Sequence, residues 1–259
     1  MNPERVALTL SAVSISFGDR CLFDRLDCSI PAGRYVGLVG PNGSGKTTLA
    51  SMIVGLIAPD SGGIDLHGHT VGLVLANPEN QIVSLLVEED LAFGPENLNL
   101  LPDVIEARID RALEQTHARG LRHQLTSNLS GGQLSKVAFA GQLTIDADIL
   151  IVDEGTAMLD PRSRKVLRAL IHELNRRHAK TVIHISHRLD DLEDADLVYL
   201  LDGGRLTAYA DIYALLAMAA DLPGIEAGER VMYQAFLNAQ GLAAQDLRSA
   251  TNRLAGRLA

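Results

Sequence analysis

Apolar positions along the chain fall into short runs of period two or continuous apolarity, separated by longer stretches of helical period. Residues 6–17 (VALTLSAVSISF) alternate in places and predict a strand. Residues 21–30 predict a second, closed by the turn signal Pro31-Ala32-Gly33. YVGLV at 35–39 is continuously apolar, as expected of a strand buried on both faces. A glycine-rich loop follows, then a predicted helix over 46–57, with Pro59, Gly62 and Gly63 as its terminators. Short strands are predicted at 63–67 and 70–75, on either side of His67-Gly68-His69. The stretch of about 80–146 is more helical. There, apolar residues at 105, 109 and 113 recur every four positions, and a further helix is predicted over 132–145. DILIVD (148–153), TVIHIS (181–186) and DLVYLL (196–201) are short apolar runs, with a helix over about 162–178 between the first two. That β-α-β alternation predicts an α/β fold with a parallel sheet. Gly203-Gly204 marks a hairpin into 205–209, and the Ala/Leu-rich stretch 211–259 is predicted helical, broken at Pro223-Gly224.

Composition narrows the class. The chain has 259 residues, 47% of them apolar and 21% charged, which suits one large α/β domain with at most a small appendage and argues against disorder. The net charge of −9 disfavours a broad nucleic-acid surface, because such binding runs on Lys and Arg. No run reaches the ~18 apolar residues of a membrane helix. The start, MNPERVALTL, lacks the long apolar stretch of a secretory leader. Cys21 and Cys28 cannot build a disulfide framework, and a reducing cytosolic setting is the simpler expectation.

Two segments carry chemistry. Residues 40–47 read G-P-N-G-S-G-K-T, matching G-x4-G-K-[ST] between a predicted strand and a predicted helix. Glycines let successive N–H groups turn inward around an anion, and the helix start adds its positive dipole end. Lys46 can offer a cation to the outer phosphates, and the Thr47 hydroxyl can ligand Mg²⁺. The second segment, ILIVDE at 149–154, sets Asp153 and Glu154 at the end of a buried strand, where ligand crevices of open α/β sheets lie. Taken alone, such a strand end is as readily a pair of solvated acids. Beside a phosphate loop, Asp153 points to Mg²⁺ ligation and Glu154 to polarising a water.

Between these segments, Leu129-Ser-Gly-Gly-Gln133 completes a set of motifs, in order, that resembles the nucleotide-binding domain of ATP-binding cassette (ABC) proteins over about residues 6–210. The resemblance implies a P-loop ATPase fold: a mixed sheet, an antiparallel β subdomain and a helical subdomain at about 80–146, with 211–259 as a C-terminal extension and possible dimer contact. It implies a head-to-tail dimer holding two ATP at its interface, with Mg²⁺. Nucleotide contacts are then expected from Gly40, Pro41, Asn42, Gly43, Ser44, Gly45, Lys46, Thr47 and Thr48. The facing subunit would supply Ser130, Gly131, Gly132 and Gln133, themselves at a predicted helix N-terminus, while a plain N-cap is the alternative for Ser130. Phe17 matches the aromatic residue that stacks on adenine, with core packing as its alternative. Asp160 matches the acid of the loop crossing the interface. His187 matches the switch histidine that contacts the γ-phosphate, and with Glu154 forms the catalytic pair. His184 is assigned to packing, and His67 and His69 to a solvated turn rather than a metal site.

The sequence departs from the family pattern at three places. Ala76 stands where a Gln usually touches Mg²⁺ and the membrane partner, with Gln81 five residues on as a possible substitute. Gly155 stands where Pro is common, and Lys136 where Arg is frequent, which keeps the charge but loses the bidentate fork. NPENQIVSLLVEEDLAFGPENLNL (77–100) is similar to ATPase subunits of energy-coupling factor transporters, which import vitamins or cobalt or nickel ions. That implies a motor subunit peripheral to the inner face of the cell membrane. Its partners would be a second ATPase subunit (itself or a homologue), a transmembrane coupling protein and a substrate-binding membrane protein, and not nucleic acid. A soluble or regulatory ABC ATPase is the alternative. The 82 residues at 48–129 are too few for the long coiled coil of the DNA-repair members.

Overall fold

A computed structural model describes residues 5–154, 160–218, 225–228, 231–232, 234–235 and 238. Two sheets organise them. β1 (Val6–Phe17), β2 (Arg20–Pro31) and β4 (Ser61–Asp65) form a three-stranded antiparallel sheet in the order β2-β1-β4. The second sheet runs β5-β6-β7-β3-β8-β9, from β5 (Val71–Val74), β6 (Ile149–Asp153), β7 (Thr181–Ile185), β3 (Tyr35–Val39), β8 (Leu197–Asp202) and β9 (Arg205–Tyr209). All its pairings are parallel except β8 with β9. Every residue of β3, β6 and β7 is buried, which is why these strands read as continuous apolar runs.

Parallel pairing puts the C-terminal ends of β3, β6 and β7 at one edge. Leu38 and Asp153 both pair with Ile185, so the loops after the three strands start level with one another. One face of the large sheet packs against the antiparallel sheet and α1 (Lys46–Ile53) through Phe23, Leu49, Ile151 and Ile183. The other face packs against α5 (Pro161–His178) through Leu167, Ile171 and Val182. A separate hydrophobic cluster joins α2 (Val87–Asn97), α3 (Pro102–Gln115) and α4 (Gly131–Ile145). In it Ile109 and Leu113 are buried and Ile105 half-buried, the stripe expected from their spacing.

Two predicted elements shift. The helix expected over 46–57 ends at Ile53, because the chain turns at Gly55 and sends the Leu56 and Ile57 amides back to the Ser51 carbonyl. The strand expected at 63–67 lies at Ser61–Asp65, paired with β1 from Ser14 to Thr9. Gly62, a predicted helix terminator, is inside that strand. It faces a bulge in β1, where a Cβ would stand 2.3 Å from the Ala12 carbonyl oxygen. Of the predicted helical stretch 211–259, α6 (Ile212–Met218) is described, and most of the remainder, including the predicted break at Pro223-Gly224, lies outside the described residues.

Candidate nucleotide site

The phosphate loop leaves the centre of the large sheet at Gly40 and enters α1 at Lys46. Gly45 caps α1 with φ 103° and no side-chain hydrogen bond, so the amides of the first turn open into a cavity. An L side chain is excluded there twice: by that φ, and by the Phe23 ring, 2.6 Å from where a Cβ would be. The cavity is about 380 Å³ and is lined by Phe17, Arg20, Asn42, Gly43, Gly45–Thr48, Ala76, Asp153 and Glu154. Phe17 is half exposed at its mouth, so the structure disfavours core packing as its role.

Lys46 is buried, and its ammonium donates to the carbonyls of Gly40 (2.8 Å) and Pro41 (3.0 Å). Desolvation lowers its pKa, and the charges of Glu154 and Asp153 oppose that. Burial raises the Asp153 pKa, while a hydrogen bond from Thr47 and the Lys46 charge pull it down and the Glu154 charge adds to the rise. Ser44 Oγ is buried with no hydrogen-bond partner. A buried cation and an uncapped helix start around one cavity, with an unpartnered hydroxyl in the same loop, fit a polyphosphate. The hard oxygens of Thr47 and Asp153 fit Mg²⁺.

Glu154 sits in the left-handed region (φ 48°), held there by its amide donating to the Ile185 carbonyl at 3.0 Å. This geometry turns its side chain toward the loop after β7. There, His187 Nδ1 lies 3.3 Å from a Glu154 carboxylate oxygen. His184 is buried, as packing required. Its ring stacks on Tyr35 and its Nδ1 is 2.9 Å from the Tyr35 hydroxyl. His67 and His69 pair with Asp65 and Asp148 in a surface turn, and no metal-holding cluster occurs among the described residues.

The signature segment stands apart from this cavity. Ser130 caps α4 in a full capping box: its hydroxyl accepts from the Gln133 amide, and the Gln133 side chain accepts from the Ser130 amide. Ser130 and Gly131 are exposed, and Gly132 and Gln133 partly so. Asp160 caps α5, accepting from the Arg162 and Ser163 amides, and the Ser163 hydroxyl together with these amides holds its carboxyl below the usual range. Gly155 lies outside the described residues.

Two readings of the sequence change. Ala76 does line the cavity, but Gln81 does not stand in for the missing glutamine. Its amide oxygen accepts from Leu75 N and its nitrogen donates to the carbonyls of Leu73 and Ala138. It secures the end of β5 instead. Arg20 went unrecognised in the sequence: it lines the cavity and donates to the Gly43 carbonyl at 3.1 Å. Its only sequence signal was a cation in the hairpin after Phe17.

A glycine cradle opening a helix, beside a strand ending in two acids, defines a P-loop nucleotide triphosphatase. Residues 23–157 match the ABC transporter family model. The energy-coupling factor transporter ATP-binding protein EcfA of Methanosarcina acetivorans is 42% identical over 194 residues, covering 70% of each chain. EcfA1 of Clostridium novyi is 38% identical over 196 residues, covering 71% of this chain and 70% of that one. The structure of cbiO1 from Clostridium perfringens, part of the ABC transporter complex cbiONQ, superposes with a TM-score of 0.71 at 27% identity, covering 83% and 96% of the two chains. The chain belongs to the ABC transporter ATPases, in the branch of the energy-coupling factor ATP-binding proteins. Its activity is ATP hydrolysis coupled to transport.

Proposed function

We propose that two copies of this chain, or this chain and a homologue, close head to tail over two ATP molecules and open after hydrolysis, driving import of a vitamin or of cobalt or nickel ions. The observation that carries the reading is the separation of two anion-binding helix starts. Lys46 and the α1 N-terminus meet Asp153 and Glu154 in one cavity, with His187 behind Glu154 at 3.3 Å, while the exposed Ser130 capping box belongs to no part of it. A second chain is what joins them.

In this arrangement residues Gly40–Thr48 and Lys46 hold the phosphates, Phe17 stacks on the base, and Thr47 with Asp153 would hold Mg²⁺. When bound, the ion neutralises charge across the outer phosphate oxygens. Glu154 accepts the proton of the attacking water, and His187 steadies that carboxylate and reaches the γ-phosphate. From the other subunit, Ser130–Gln133 offer a second helix start, and Asp160 borders the interface. The docking face for a membrane partner is the groove of α2 and α3. Glu88, Glu89, Glu96 and Glu106 line it around half-exposed Phe93, Glu88 and Glu106 being paired with Arg122, and with Leu85 and Leu101 exposed nearby the net acidic surface suits a basic amphipathic helix. No helix among the described residues is long and apolar enough to cross a membrane.

The test is Glu154→Gln in the full chain. Phosphate release should fall at least about a hundredfold while ATP binding persists, and ATP should trap a closed dimer on size-exclusion chromatography. A variant that stays monomeric at saturating ATP refutes the sandwich. Ala76 in the cavity, with Gln81 committed elsewhere, favours a second reading: a regulatory subunit paired with an active homologue. ATP binding by the purified wild-type chain without phosphate release would establish that instead.

A further inference from the structure

Beyond α6 the chain returns to the edge of the nucleotide site. Residues 225–228 lie along the loop that follows β7 and join it through a parallel β-bridge between Arg188 and Glu226. The Glu226 amide donates to the His187 carbonyl at 2.6 Å, and the Leu189 amide donates to the Glu226 carbonyl at 2.8 Å. Further contacts repeat the attachment. Arg188 Nη1 is 3.3 Å from the Glu226 carboxylate, and the Gly228 amide donates to the Asp190 carboxylate at 2.9 Å. Val231, wholly buried, packs in one cluster with Leu189, Leu192, Ile212 and Leu215. Four successive residues of the loop, 187 to 190, are thus held by a segment outside the sheet. From the inner side, Ser186 Oγ accepts from the Arg188 amide at 3.0 Å and lies 3.3 Å from the Asp191 carboxylate.

We propose that segment 225–228 is a strap that positions His187 for hydrolysis, with Glu226 and Gly228 as positioning residues that touch neither nucleotide nor reacting water. The inference rests on the reading of His187 given above. The His187 ring reaches Glu154 only at the edge of hydrogen-bond range, 3.3 Å, so a small displacement of its backbone breaks the contact. The carbonyl of His187 itself and the amide of Leu189 are the backbone groups the strap holds. A force on the C-terminal extension that lifts the strap therefore releases the histidine while the phosphate cradle stays intact. This links whatever the extension binds to the turnover step rather than to ATP capture.

The test uses the full chain with Gly228→Ala. A Cβ there would stand 2.7 and 2.9 Å from the two Asp190 carboxylate oxygens, so the carboxylate must swing away and the bond it accepts from the Gly228 amide, one of the strap's attachments, is lost. Turnover, ATP affinity and the NMR signal of the His187 imidazole are measured in histidine-labelled protein, the signal being identified by its loss in His187→Ala. We expect kcat to fall at least about fivefold with the ATP Kd changed less than about twofold. The His187 signal should move while those of His117 and His172 stay. Glu226→Ala, which keeps both backbone bonds, should lose less. If Gly228→Ala does not fold, Glu226→Pro, which deletes the amide donating to His187, carries the same expectation. Slow turnover in His187→Ala beside normal turnover in Gly228→Ala overturns the strap alone. Equal losses of turnover and affinity, with every histidine signal moving, also overturn it. Undiminished turnover in His187→Ala overturns the role of His187 and this inference with it.

Discussion

Mild acid should destabilise this protein through His184, and the size of the effect follows from one buried ring. The Tyr35 hydroxyl has a single hydrogen, and the Asp191 carbonyl 3.0 Å away can only accept it. The bond between Tyr35 and His184 Nδ1 must then run the other way, with Nδ1–H donating. The free lone pair is on Nε2, which is buried with no partner, so a second proton would enter a site with nothing to receive it. Burial accordingly pushes the His184 pKa down from 6.5 to about 4, with the Arg168 charge helping and the Asp191 charge opposing. In the folded state the ring stays neutral while the unfolded chain takes up a proton. The stability this group contributes is complete above pH 6.5 and is lost as the pH falls toward about 4. Fully titrated, the difference amounts to about 3 kcal/mol, and by pH 5 about 2 kcal/mol of it is already gone. The variant His184→Leu removes the titration, fills a similar volume and leaves Tyr35 bonded to Asp191. Urea unfolding of both proteins at pH 8 and pH 5 isolates the term, because all other titrating groups are shared. The wild type should lose about 2 kcal/mol more than the variant between those two pH values. Equal losses would show that the buried ring accepts a proton freely, and would refute the reasoning from its unpartnered nitrogen.

Two further outcomes follow from the same geometry. Gly45→Ala combines a φ of 103° with a Cβ 2.6 Å from the Phe23 ring, so it should destabilise the fold by about 2 kcal/mol or more in thermal unfolding and weaken ATP binding. Ser130→Ala removes an exposed cap and should cost about 1 kcal/mol of stability. It should abolish ATP-driven dimerisation and phosphate release, yet leave the Kd of the monomer for ATP unchanged, since Ser130 lines no part of the cavity in its own chain.

The elements that the sequence determined by itself are those whose conformation is written in a few neighbouring residues. The cradle at 40–47 is legible because glycines at fixed spacing before Lys46 have few other uses. The start of α4 is legible because Ser130 can cap it locally, while the reciprocal bond from Gln133 came from the structure. Asp160-Pro161 opens α5, and three basic groups, Arg176, Arg177 and His178, close it, all local preferences of a helix. The buried strands were legible as strands, but not their order. YVGLV, ILIVD and TVIHI are interchangeable apolar runs, and only packing set β7 between β6 and β3. That lateral order is what brings His187 to Glu154, across 33 positions of sequence, and what turns Glu154 into the left-handed region. Gln81 shows the reverse case: a side chain with the right chemistry, five residues from the expected place, spent on the backbone at the end of β5. Arg20 beside Gly43 and Glu226 beside His187 are likewise tertiary facts. Short-range rules fix backbone shape within a turn or two, whereas which polar groups meet across the sheet edge depends on strand order and register, which no local period encodes.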